Sequence, residues 1–111
     1  MSTKKTIKQG STGYIDVVLY KDGTAWDLST IDHLELVIDH FSRKQSLYDI
    51  GASPNLFITG AATGEVQIRP NTDTFELSGI HKMFFWVYTT STIKYPNPSS
   101  GRLWITVEEN A

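Results

Sequence analysis

Three histidines, His33, His40 and His81, are the first residues to weigh for chemistry. Imidazole ligates metals and moves protons near neutral pH. These three lie far apart, with no His-x-His or HExxH spacing, so each reads as an exposed or hydrogen-bonded residue at a strand end. Nucleophilic catalysis has less support. The chain has no cysteine and no GxSxG elbow. Its serines and threonines sit in turn-forming stretches that explain them. The glycines at 60 and 64 lack the Gly-Lys-Ser/Thr ending of a phosphate loop and read as a turn. Asp22, Asp27, Asn71 and Asp73 are oxygen donors of the kind calcium takes, but the EF-hand spacing is absent. A pair of acids for glycoside hydrolysis stays open on sequence alone. Glu108 and Glu109 read as solvated charges. In Asn97-Pro98-Ser99 the proline blocks N-glycosylation. The expectation is no catalytic residue, no metal ligand and no cofactor, in a protein that is not an enzyme.

The elements that position these residues are strands separated by turns. Residues 14–21 alternate, with Ile15, Val17 and Leu19 on one face. Asp22-Gly23 then signals a tight turn. Trp26-Asp27-Leu28-Ser29 reads as a connection. Residues 32–40 alternate again, with Leu34, Leu36 and Ile38 inward. Leu34-Glu35-Leu36 would suit a helix, but the strict period of two and Val37-Ile38 favour a strand. Residues 41–54 are polar and mixed, and read as a loop or weak edge strand. Short strands at 56–59 and 65–69 flank the turn at 60–64. Residues 70–75 have room for one helical turn. Residues 95–101 form a proline-stiffened loop, and a last strand covers 102–108. No long amphipathic helix is visible, so an all-β antiparallel sandwich is expected.

One strand stands out. His81 to Thr90 reads HKMFFWVYTT. Alternate residues of a strand point to opposite faces. Met83, Phe85 and Val87 suit a core. Phe84, Trp86 and Tyr88 then point the other way, and Trp104 joins them if the last two strands form a hairpin. Four such rings, half exposed, offer roughly 300–500 Å² of apolar surface, the size of a typical monomer's largest patch. Three readings compete. Residues 41–54 cover the rings as a second small core; the rings dock a protein, as Trp and Tyr do at hot spots; or they stack on sugars. Base stacking is disfavoured, because no basic groove surrounds them.

Composition narrows the class. The 111 residues suit one domain, 1–111, with 1–8 as a flexible N-terminal arm carrying Lys4, Lys5 and Lys8. A hydrophobic fraction of 40% supports a real core and excludes a disordered chain. A net charge of −2 leaves no footprint for nucleic acid or an anionic membrane. No apolar run approaches the roughly 20 residues of a membrane span, and the N-terminus lacks an apolar signal core. A soluble protein made in a cytoplasm is expected.

The order of small motifs carries a resemblance. Gln9-Gly10-Ser11-Thr12 precedes the first long strand, and Asp27-Leu28-Ser29 precedes residues 31–38. Gly64-Glu65-Val66 is followed by Pro70 and Asp73. Gly79, Tyr95-Pro96 and a closing Leu103-Trp104-Ile105-Thr106-Val107 complete the series. This order resembles the immunoglobulin-like N-terminal domain of phage baseplate upper proteins, and related small head and tail accessory proteins. It spans nearly the whole chain. The resemblance implies an immunoglobulin-like sandwich of about seven strands and a structural role in a virion. The partners it implies are other virion proteins or further copies of the chain, as an accessory, decoration or ring component. The chain departs from the pattern at His81 and in its surplus of outward aromatics. The interface residues are expected to be Phe84, Trp86, Tyr88 and Trp104. A carbohydrate-binding or host-surface adhesion module is the alternative.

Overall fold

The computed structural model describes residues 3–50, 55–97 and 103–109. The strands are β1 (Thr3–Lys8), β2 (Ile15–Val18), β3 (Tyr20–Lys21), β4 (Thr24–Ala25), β5 (His33–His40) and β6 (Arg43–Tyr48), followed by β7 (Leu56–Gly60), β8 (Glu65–Ile68), β9 (Gly79–Tyr88), β10 (Lys94–Asn97) and β11 (Leu103–Glu108). A single 3-10 turn covers Ala61–Thr63. The larger sheet runs β1-β11-β9-β5-β6, with β10 also on β9. The second runs β2-β8-β7, and β3 and β4 form a separate hairpin. The fold is an all-β sandwich, as the alternation predicts.

Its core comes from both sheets. Leu34, Leu36, Ile38, Met83, Phe85, Val87, Ile105 and Val107 descend from the larger sheet. They meet Ile15, Leu56, Val66 and Ile68 of the smaller one, with Leu19, Leu28 and Phe75 from the connections. Each strand supplies every second residue, so the period of two becomes the buried layer. The Asp22-Gly23 turn joins β3 to β4 with φ of 53° and 80° at its two residues. Positive φ at both central positions matches the right-handed twist of the flanking strands.

Four expectations need correction. The strands number eleven among the described residues, not about seven, because short irregular stretches split longer runs: Leu19 separates β2 from β3. The arm expected at 1–8 contains β1, which pairs in parallel with β11 while Ile7 packs against the core. A parallel neighbour that far along the chain leaves no local trace. The loop expected at 95–101 begins as β10, antiparallel to β9 with Pro96 opposite Trp86. Proline, lacking an N–H, is tolerated there because β10 pairs on one side only. Residues 98–102 lie outside the described residues. Finally, residues 70–75 are a turn and not a helix. The Asn71 side-chain oxygen accepts the backbone N–H groups of Asp73 and Thr74 at 2.9 and 3.1 Å, which holds the turn without helical continuation.

Candidate functional site

The outer face of the larger sheet is built in rows, because residues paired across strands share a face. One row reads Lys44, Asp39, Lys82, Trp104 from β6 to β11. The next holds Ser46, Val37 and Phe84. A third holds Tyr48, Glu35, Trp86 and Pro96, and a fourth His33, Tyr88 and Lys94. All four expected residues, Phe84, Trp86, Tyr88 and Trp104, stand on this one face, and each is half-buried.

Side chains within the face hold one another. Phe84 meets Trp86 edge to face, with ring centres 5.4 Å apart at 78°. The Lys94 ammonium lies 4.3 Å from the Trp86 ring centre and 5.5 Å from that of Tyr88. Lys82 sits 5.3 Å from the Trp104 ring centre. Such cation–π contacts contribute about 0.5–1 kcal/mol each at exposed sites. His33 stacks on Tyr88 at 4.0 Å and is oriented by Asp32, 2.6 Å from its Nδ1. Both Tyr48 and Tyr88 donate to the Glu35 carboxylate, at 3.2 and 3.3 Å. Burial, with the Glu35 charge beside it, raises the Tyr48 phenol above its ordinary pKa and keeps it a donor. The rings are therefore pre-ordered, which lowers the entropy lost when a partner lands on them.

Residues 41–50 do not roof this face. Within them, β6 lies in the same sheet, beside β5, and extends the surface with Lys44, Ser46 and Tyr48; residues 51–54 lie outside the described residues. The outer side of the smaller sheet differs. There Arg69 caps Phe57 at 3.8 Å and Tyr14 at 4.8 Å, and Gln67 binds Asp16.

Sequence reasoning missed Phe41, which is 93% exposed at the two-residue tip between β5 and β6. The signal was available: an aromatic followed by Ser42 at the point where alternation stops. The face also lacks the geometry a sugar platform needs. Phe84 and Trp86 are near perpendicular, and an ammonium already occupies one face of Trp86.

His33 and His40 are the hydrogen-bonded end residues of β5, as expected, and His81 departs from expectation. His81 is mid-strand and 0% exposed, on the core side of β9 with Met83, Phe85 and Val87. His40, also buried, lies 4.7 Å from it, ring centre to ring centre. His40 Nε2 donates to the Ser78 carbonyl at 2.8 Å, and its Nδ1 accepts the Ser42 N–H at 3.1 Å. Phase of the strand decides this: an odd residue of β9 points inward whatever its type. Among the described residues, no group of three His, Cys, Asp or Glu side chains is placed to hold a metal.

Burial pushes the His81 imidazole below its ordinary pKa of 6.5, against a weak bond to the Gly79 carbonyl and with the help of His40 and Arg43. The neutral ring is thus favoured by folding, and the unfolded chain binds the proton better. Stability is full above pH 6.5 and is lost progressively as the pH falls below it. Denaturant titrations at stepped pH are expected to show this decline, and His81→Phe to flatten it. An equal slope in both proteins would show that other groups cause it.

No protein-family model matches the chain, and no curated protein matches it. Among solved structures it is similar to the N-terminal domain of phage TP901-1 ORF48. The TM-score is 0.58 at 10% identity, over 96% of this chain and 83% of that one. The two share a fold. The expected likeness to a phage protein domain is met at that level.

Proposed function

We propose that this chain is a non-enzymatic structural component of a phage virion that docks onto other virion proteins through the outer face of its larger sheet. The observation that carries the reading is the face itself. Phe84, Trp86, Tyr88 and Trp104 stand on one surface, ordered by Lys82, Lys94 and Glu35, in excess of what the core requires. The shared fold with a phage protein domain supports placing that surface in a particle. Head, neck and baseplate accessory or decoration roles all follow from this reading, as does presence in the virion after synthesis in the host cytoplasm.

The experiment mixes purified protein with purified head or tail components and measures particle-bound against free chain. Trp86→Ala and Trp104→Ala are each expected to weaken binding by about 2 kcal/mol or more, as buried Trp anchors do. Wild-type binding undiminished in both variants would overturn the docking face. Absence of binding to any component, together with saturable glycan binding lost in Trp86→Ala, would favour the adhesion module instead.

A further inference from the structure

The row Lys44, Asp39, Lys82, Trp104 has an order that matters. Read across the strands, it runs cation, anion, cation, aromatic. A two-fold axis parallel to the strands, lying between β5 and β9, exchanges columns while keeping rows. It sets β9 of one molecule over β5 of another, and β11 over β6. Under that operation Lys82 meets Asp39 of the second copy, and Asp39 meets its Lys82. Trp104 meets the second copy's Lys44, and Lys44 its Trp104. Every member of the row finds a complementary member of the same row, which is the property an isologous interface requires.

In the adjoining rows the same axis sets Phe84 over Val37, Trp86 over Glu35 and Tyr88 over His33 of the second copy. Phe84 supplies the apolar contact of its row, because Val37 is only 3% exposed and has little surface left to offer. Pro96 comes over Tyr48. Asp39 and Lys82 are both exposed, and among the described residues neither is in an ion pair within its own chain. The Asp39 carboxylate can pair outward, and the Lys82 ammonium would do so from its place beside its own Trp104 ring. Four columns at about 4.8 Å spacing, over about eight residues of rise, give on the order of 500 Å² in projection. That compares with the roughly 800 Å² per partner of a standard interface.

We propose that the occupant of this face is a second copy of the chain, packed sheet to sheet about that axis. The proposal rests on the reading of this surface as a docking face and names what docks. The test is sedimentation of the full chain across a concentration series, with unfolding curves to show that each variant is folded. The wild type is expected to dimerise below ~100 µM. Asp39→Lys and Lys82→Asp are each expected to raise the dimer dissociation constant at least about tenfold, because each sets like charges together twice. An equimolar mixture of the two variants is expected to recover a dimer of near wild-type affinity. In that mixed pair the native Lys82 of one variant meets the native Asp39 of the other, and the introduced lysine meets the introduced aspartate. A wild type that stays monomeric, or a dimer indifferent to both variants, overturns the second-copy assignment. If the wild type is monomeric but Trp86→Ala still abolishes binding to virion components, the docking face stands and only its occupant changes. If neither behaviour appears, both fall.

Discussion

Gly64→Ala is expected to lose several kcal/mol of folding stability, while Gly13→Ala changes it little. Gly64 follows the 3-10 turn at Ala61–Thr63 with φ of 67°, a left-handed conformation that costs an L-residue roughly 1–2 kcal/mol. Space is the larger obstacle. A Cβ there would stand 2.5 Å from the Leu19 carbonyl oxygen and 3.0 and 3.1 Å from the Trp26 backbone. All three are backbone atoms and cannot swing aside as a side chain would. They are also tied down: Leu19 N–H donates to the Gly64 carbonyl at 2.9 Å, and Trp26 N–H to the Leu19 carbonyl at 2.8 Å. Relief would require parting the β2–β3 segment from the turn, and overpacking of this kind costs a further 1–3 kcal/mol or so. Gly13 has open space around its Cβ position. Urea titrations of the two variants check the contrast, and equal midpoints would refute the steric account.

Phe85→Ala is expected to cost about 3–5 kcal/mol, a large part of the roughly 5–15 kcal/mol that holds a domain together. Phe85 is 1% exposed, at the centre of β9, which pairs with β5, β10 and β11. Leu36 and Asn97 flank it in the sheet, and Asn97 donates at 2.6 Å to the Tyr20 carbonyl of β3. That hydrogen bond ties β10, the strand beside Phe85, to β3 and limits how far the neighbourhood can collapse. Trp86→Ala removes a larger ring one residue away. It loses an edge contact with Phe84, the Lys94 ammonium and the packing of a half-buried ring, so about 1–2 kcal/mol is expected. Thermal unfolding of the pair reads the two faces of one strand separately. If Trp86→Ala proved as damaging as Phe85→Ala, the outer face would be core and the docking proposal would lose its ground.

Much of this contrast was legible before any coordinates. Met83, Phe85 and Val87 alternate with Phe84, Trp86 and Tyr88, and a strand has only two faces. The same rule placed Leu34, Leu36 and Ile38 inward. Residue type misled at one point. His81 belongs to the odd set, yet its polarity suggested an exposed strand end. Position on the strand prevailed over residue type, and the imidazole entered the core at the expense of its charged form.

Alternation, turn residues and apolar content are properties of neighbours in the chain. They were enough for most strand positions, though not for β1 or β10, and for the Asp22-Gly23 hairpin, the sandwich class and the surplus aromatic face. Which strands lie side by side is a different kind of fact. The parallel pairing of β1 with β11, the placing of β9 beside β5, and the meeting of Asp39 with Lys82 join residues from distant parts of the chain. No local propensity encodes them. They follow from how two sheets bury one core, and only that packing brought the charges and rings of the outer face into rows.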